Sequence, residues 1–508
     1  MEARGFSRIV ALAIVLAAAL TGTARAAPSQ KAAVLVVPAS AAVFSSPEGA
    51  HGLLVPGEGA TVSRGSALAS LLHGELGNAL VNDGLPGGKP RISLSLRTAL
   101  VTFYVALPPP GKHHNVVRYP ITVVGPGYHG LLTSRTTHLD GLISIADVAP
   151  SVLALEAGKR PRIRSRASAD PVAYLQRFDE RLTRAHDSRT GATLVLVGLI
   201  TILGLLALAV RRAWLGRAAF LAAPACVVIA VVLSAVGVTR PWQVILVLAL
   251  AAAALALAGG AILRPGLPLA AALAAVFVFL YAVMWARPEW NSLAALGPRP
   301  DGGGRFYGVN NQVSTLLLAP ALVLGALAGP ALPAVALFVV AGMAASFIGA
   351  QADGLVVYFA GFLVLAFRTR GERPGLARAA GAVAVAAAAV LALVAIDAAF
   401  GGSSHITHAV GGGPGSLFGD LAHRIHLSAA FVVSRWNETL LFFLSLAGLV
   451  WVALQRPRLP VLDALLAALA VSLLVNDTPT DIAGLGVLSA LVLWIWLARS
   501  GERADALD

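Results

Sequence analysis

A chain of 508 residues that is 57% hydrophobic and only 12% charged, with a mean hydropathy of +0.79, is not a soluble globule, since ordinary domains carry about 25% charged residues. The net charge of +13 would invite nucleic acid in a soluble protein. Here much of the arginine flanks apolar runs, where it orients a membrane protein and touches lipid head groups, so no nucleic-acid partner is expected. The single cysteine, Cys226, lies inside an apolar run, which excludes a disulfide framework and a cysteine-based metal site.

In chain order, Arg4 and Arg8 precede an apolar run over 9–19 and the small-residue pattern Ala24-Arg25-Ala26. This is the signature of a secretory signal peptide over 1–26, which would export the residues after it. Residues 27–158 alternate short β-branched runs with helical ones. Strands are expected over 33–37, 99–106 and 119–124, a helix over 66–80, and a strand leading into a helix over 143–155. That alternation predicts an α/β layer with a mostly parallel sheet.

Residues 159–190 form a basic linker, Lys159 to Arg166, followed by a juxtamembrane amphipathic helix. Ser168 is its expected N-cap, with Asp170 in the first turn. Leu175, Phe178 and Leu182 recur at helical spacing, so the helix either lies on the membrane surface, rests on the exported domain or is a plain linker.

Residues 191–498 read as a polytopic all-α transmembrane bundle of about 11 helices, and 499–508 as a cytoplasmic tail. With the first span running inward, the inner connections hold Arg211, Arg212, Arg217, Arg264, Arg368, Arg370, Arg373, Arg378, Arg456, Arg458, Arg499 and Arg503. The outer connections hold Arg240, Arg287, Arg299, Arg305, Arg424 and Arg435. This excess supports the orientation set by the signal peptide, with the α/β domain outside and the C-terminus inside. The basic linker runs against the trend, but long translocated domains are largely exempt from it.

The stretch GPGYHGLLTSRTTHLDGLISIADVAPSVLAL over 125–155 resembles the C-terminal part of alkaline-phosphatase-superfamily domains, where a Thr/Arg turn precedes a D-I-A-P-T-like run. The resemblance implies that His114, six residues before Pro120, is the best metal-ligand candidate, and that Thr61 and Ser63 stand near the nucleophile position. The rest of the metal set departs from the pattern. VLVVPAS offers Pro38 and Ser40 where an Asp belongs, and VALPPPG replaces an Asp-His-Gly. One His cannot assemble metal-assisted phosphoryl chemistry, so the implied domain is a degenerate, alkaline-phosphatase-like one for binding or support, and no cofactor is specified.

In the bundle, polar residues gather at span boundaries on the expected outer side. GRFYGVNNQ carries Arg305, Tyr307, Asn310, Asn311 and Gln312. The turn GAQADG carries Gln351 and Asp353, and NDTPTD spans Asn476 to Asp481. The long connection 401–437 holds His405, His408, Asp420, His423 and Arg424. Ionisable groups at membrane depth are costly and mark sites, and an Arg can clamp a phosphate or carboxylate with two bonds. The expected catalytic set is Arg305, Tyr307, Asn310, Asp353, His405 and Asp477.

These motifs resemble a group of bacterial multi-pass membrane proteins of the actinobacterial type, which share the exported phosphatase-like domain and have no assigned activity. Asn311 stands where members often carry an acid. The expected function is the binding or processing of a lipid-linked, glycan- or phosphate-bearing envelope substrate. A transporter or flippase of an envelope precursor and a scaffold without chemistry are the alternatives. The lipid bilayer is the one partner required by all three.

Orientation is tested in a Cys226→Ser background. A cysteine at Ser168 is expected to react with an impermeant maleimide on intact cells, and one at Ser500 only after lysis.

Overall fold

The computed structural model describes residues 29–76, 89–371, 426, 428–430, 432–433, 435–456, 458–476 and 478–499. The β-branched runs of the N-terminal part become strands β1 (Ala32–Val36), β2 (Ala50–Val55), β4 (Val101–Val105), β6 (Tyr119–Val124), β7 (Gly130–Ser134), β8 (Leu142–Ser144) and β9 (Ile163–Arg166) of one sheet, ordered β1-β4-β6-β2-β7-β9 with β8 also on β2. A small ribbon pairs β3 (Thr61–Ser63) with β5 (Lys112–His114).

The sheet is mixed, not mostly parallel as the alternating pattern predicts. β1 runs parallel to β4, and β2 parallel to β7 and β8. β6 lies between β4 and β2 and is antiparallel to both. Strand direction is set by which edge a returning segment joins, and a run of Val and Ile carries no record of that.

Two helices cover this sheet, α1 (Arg64–His73) and α2 (Val148–Glu156). α1 begins where the sequence offers Ser63, whose hydroxyl accepts a bond from Ser66 N at 3.1 Å while Ser66 Oγ accepts from Ser63 N. That reciprocal cap satisfies two otherwise unpaired amides. Asp147, in the 3-10 turn leading into α2, is fully buried and accepts from Ser134 Oγ and Thr136 Oγ1, each at 2.6 Å. Burial holds its carboxyl above the usual range, against those two hydroxyls and Arg162, which lower it.

The basic linker forms β9 on the edge of the sheet, antiparallel to β7. Arg166 pairs with Asp140 at 2.7 Å, and Arg162 stands 3.8 Å from Asp147. Its charge is thus partly matched by carboxylates of its own domain, and charge on an edge strand also discourages pairing with another chain.

The amphipathic segment and the first apolar run are one helix of 40 residues, α3 (Pro171–Val210), capped by Asp170, whose carboxylate accepts from Ala173 N at 3.0 Å. At 1.5 Å per residue it is about 60 Å long, twice the thickness of a bilayer's hydrocarbon core. Phe178 and Leu182 on its first half join Val55, Leu139, Leu142, Leu293 and Phe306 in a shared apolar cluster. Of the three placements expected for this segment, the contacts select the one on the α/β domain.

The helical part continues with α4 (Ala213–Ala235), α5 (Pro241–Ile262), α6 (Leu267–Ala286), the short α7 (Pro288–Ser292), α8 (Asn311–Leu327), α9 (Leu332–Ala344), α10 (Ala352–Thr369), α11 (Trp436–Leu454), α12 (Pro460–Val475) and α13 (Pro479–Trp494). Among the described residues six helices are long and apolar enough to cross a membrane: α3, α4, α5, α6, α11 and α13 with its π-helical continuation. The apolar helices over 311–327, 329–344 and 460–475 are shorter. The expected span over 379–400 lies outside the described residues.

The two parts meet around the Gly-rich run. Gly303 has φ +73°, and a Cβ there would stand 2.0 Å from Gly57 O. Phe306 then inserts into the shared cluster. Phe306→Ala is expected to cost about 3 kcal/mol through the cavity it leaves, and Gly303→Ala to separate the parts by strain and collision. Both should accelerate proteolysis of the 298–305 loop; unchanged cleavage would mean that these residues do not hold the parts together.

Candidate functional site

The segment 287–311 buries Leu293, Leu296, Phe306 and Val309 in the apolar cores and is further held by hydrogen bonds. α3 reaches it through Arg189, which donates to Gly297 O at 3.1 Å and Pro298 O at 2.7 Å. His186 Nδ1 contacts the buried Asp301 carboxylate at 2.6 Å. From the α/β domain, Asn115 Nδ2 donates to Gly57 O, Gly59 O and Gly302 O at 2.9, 3.1 and 3.2 Å. Arg118 ties the domain to α3 through Asp179 and Thr183, both at 2.7 Å.

Within GRFYGVNNQ the first three polar side chains, Arg305, Tyr307 and Asn310, bind backbone. Arg305 Nη1 donates to Ala350 O at 2.9 Å, and the Tyr307 hydroxyl to Ser346 O at 2.5 Å. Tyr307 also lies against His138 of the α/β domain, ring centroids 4.1 Å apart. Asn310 is the N-cap of α8. Its Oδ1 accepts from Val313 N at 2.7 Å while its Nδ2 donates to Leu296 O and Gly297 O. Buried Asn291 donates to Gly308 O at 2.7 Å. Gly308 has φ +77°, and a Cβ would collide with Gly349 O at 2.2 Å. The expected site residues Arg305, Tyr307 and Asn310 are thus clamps on the turn 345–351 and on α8.

That turn is strained. Ala350 has φ +51°, a conformation unfavourable for a residue with a Cβ. It is over-determined by bonds from Gly349 N to Gly342 O, Gln351 N to Met343 O and Val309 N to Gly349 O. Asp353 follows in the first turn of α10, where a carboxylate complements the helix dipole.

Below the clamps lies a polar network joining the N-terminal ends of three apolar helices. Gln351, the N-cap of α10, donates to Asn311 Oδ1 at 2.7 Å. Asn311, the first residue of α8, donates to Thr478 Oγ1, at the N-cap of α13, at 2.9 Å. Gln312 donates to Asp481 Oδ2 at 3.2 Å, and Asn476 to Ser472 O and Oγ at 3.1 and 2.9 Å. Asn311, Gln312, Thr478 and Asp481 are half-buried, whereas Gln351, Asn476 and Thr480 are 1%, 4% and 1% exposed. Among the described residues Gln351 Oε1, Asn476 Oδ1 and Thr480 Oγ1 have no hydrogen-bond partner. An unpaired buried polar atom costs about 1–3 kcal/mol; others among the described residues lie on Asn115, Arg189, Ser292 and Asp301 of the docking loop and its supports.

The structure thus brings Arg305, Tyr307, Asn310 and Asp353 around one turn; His405 and Asp477 lie outside the described residues. Sequence reasoning missed Asn115, His138, His186, Asn291 and Asp301. The one signal in the sequence was the run of Gly at 302–304, of which Gly303 alone meets backbone closely, at Gly57 O.

The α/β domain is chemically quieter. His114 is exposed on β5 opposite Thr61, and Ser63 is spent as a helix cap. Among the described residues no group of three or more His, Cys, Asp or Glu could hold a metal ion. A cavity of about 190 Å³ lies between β2, β6 and α3, lined by His51, Leu53, Thr122, Leu175 and Asp179 among others. Both His51 ring nitrogens are engaged, by Thr122 Oγ1 at 2.8 Å and Ser46 O at 2.7 Å.

No family model, curated protein or solved structure matches the chain.

The His138 ring packs on Tyr307 while the residue stays exposed at its outer side; partial desolvation, then the charge of Arg135, lowers its pKa below 6.5. A His lowered in the folded state stays neutral there while the unfolded chain takes up protons. Its stability contribution is therefore full above about pH 6.5 and is lost as pH falls toward the folded value. His51, also lowered by burial, acts with the same sign. Hydrogen-exchange protection factors over 293–306, taken relative to the intrinsic rate at each pH, are expected to fall below about pH 6.5, less steeply in His138→Phe; identical slopes would remove His138 from the docking surface.

Proposed function

We propose that this chain is an integral membrane protein of the bacterial envelope whose α/β domain is fixed over a polar mouth in the helical part. There it binds, for processing, the hydrophilic portion of a lipid-linked, glycan- or phosphate-bearing substrate. The observation that carries this reading is the set of three buried, unpartnered oxygens on Gln351, Asn476 and Thr480 beside the Asn311 network. The strained Ala350, held by Arg305, supports the same reading, because strain persists where surrounding bonds maintain it for a purpose.

The α/β domain is the binding or supporting member of the pair, a degenerate relative of the alkaline-phosphatase fold by its ADVAPSVL run. A flippase needs a polar path along the bundle. Among the described residues the buried amides of the helical part, Asn291, Gln351 and Asn476, belong to the end facing the α/β domain, which favours a surface site.

A deletion strain, compared with strains carrying Gln351→Leu or Asp353→Ala, tests the reading by lipidomics and cell-wall glycan analysis. The substitutions are expected to reproduce the deletion's accumulated precursor. An envelope unchanged in all three strains would sink the proposal.

A further inference from the structure

Away from the polar mouth, a small pocket lies where α3 passes the connection between α4 and α5. It encloses about 20 Å³ and is open on one side. Arg181, Ala185 and Ser188 face it from one stripe of α3, Ser234 from the end of α4, Thr239 from the connection and Leu293 from just past α7. We propose that this pocket binds the phosphate of an anionic phospholipid, one oxygen of which enters the enclosed part.

The unmet hydrogen bonds of this pocket are donors. Arg181 Nη2 donates to Ser234 O at 3.2 Å, while the buried Arg181 Nε and Ser234 Oγ have no partner among the described residues. Thr239 Oγ1 accepts from Arg184 Nη1 at 3.2 Å and keeps its own hydrogen to give. The Ser188 hydroxyl is already spent on Arg184 O at 2.7 Å. A guanidinium N–H only donates and a hydroxyl can donate, so a single acceptor atom serves Arg181 and Ser234 together.

Charge decides between a water and an anion. A water needs about 10–15 Å³ and would fit, but it leaves the guanidinium of Arg181 uncompensated, whereas a phosphate pairs with it strongly. Among the described residues no carboxylate bonds Arg181, and none lines the pocket. The acids around it are matched elsewhere. Glu180 pairs with Arg184 at 3.2 Å, and Glu289, one turn before Leu293, with Arg287 at 3.9 Å. The end of α4 is the negative end of its dipole; Arg181 covers it through Ser234 O, which leaves Nε for the ligand. A phosphate oxygen is the size of a water, so the enclosed volume takes one. The other oxygens stay at the opening, near the exposed Arg184 and near Arg240, which follows Thr239 and is exposed as well.

Position points to a lipid as the source of the phosphate. α4 and α5 are both long and apolar enough to cross a membrane, and the pocket sits at the ends joined by 236–240. There Val236 and Trp242 are 67% and 60% exposed, as side chains at a bilayer boundary are. On α3 the charged stretch 177–189 gives way to the apolar half just past Ser188. A basic pocket between spans at that level meets lipid head groups.

The test uses the full chain purified in dodecyl maltoside, mixed with equal amounts of phosphatidylglycerol and monogalactosyldiacylglycerol of the same acyl chains. Retained lipid is read by native mass spectrometry. Phosphatidylglycerol is expected to be retained about tenfold over the uncharged lipid, as one or two charge-assisted bonds would give. Arg181→Gln should remove that preference. Ser234→Ala, which keeps the carbonyl that Arg181 holds and so spares the fold, should lower it about threefold. Excess inorganic phosphate should leave the lipid in place; its displacement would mark a site for free anions and overturn the lipid source. Equal retention of the two lipids, or a preference that ignores both Ser234→Ala and Arg181→Gln, overturns the pocket as a phosphate site and assigns it to a water.

Discussion

The structure depends on one helix belonging to two environments. Pro171–Val210 is too long for a bilayer to hold, so part of it must project. Its first half buries Phe178 and Leu182 against the α/β domain, and its second half buries Leu196, Ile200 and Leu203 in the bundle. A rigid rod shared in this way fixes the height of the domain above the helical part. The Arg189 and His186 contacts then fix the loop 297–301 against the same rod. Every position in the mouth depends on that geometry, because the loop delivers Phe306, Gly308 and Asn310 to their partners.

The mouth itself shows how polar residues divide between support and availability. Arg305, Tyr307, Asn291 and Asn310 spend their donors on backbone carbonyls of the loop and the turn 345–351. Irregular backbone next to apolar helices cannot rely on water, so these side chains replace it. Gln351, Asn476 and Thr480 make only part of the bonds they are capable of. A side chain with a satisfied donor and an unsatisfied acceptor is held in one orientation and still short of a bond.

Much of the architecture is legible in the chain. The strand over 119–124, the helix after Ser63 and the apolar runs of the second half arise from local chemistry: branched side chains, a hydroxyl cap and uninterrupted Leu, Ala and Val. The mixed direction of the sheet is not legible, because β6 enters between β4 and β2 by a long-range choice of edge. The basic run over 159–166 has the composition of a linker, since its partners, Asp140 and Asp147, are distant in sequence. GRFYGVNNQ stands out as unusual in an apolar half, while its role cannot be read from its letters: a clamping Arg and a binding Arg are written alike.

The sequence alone determined that this protein lives in a membrane, carries an α/β domain before its apolar half, and concentrates polar residues at the boundaries of apolar runs. Composition and periodicity suffice for that, because transfer of apolar side chains out of water is a local and additive property. Only the tertiary structure decided which polar residues are consumed by holding the fold and which retain an unmet hydrogen bond. That division depends on contacts of 2.7 and 2.9 Å between Asn311, Gln351 and Thr478, residues separated by up to 167 positions in the chain.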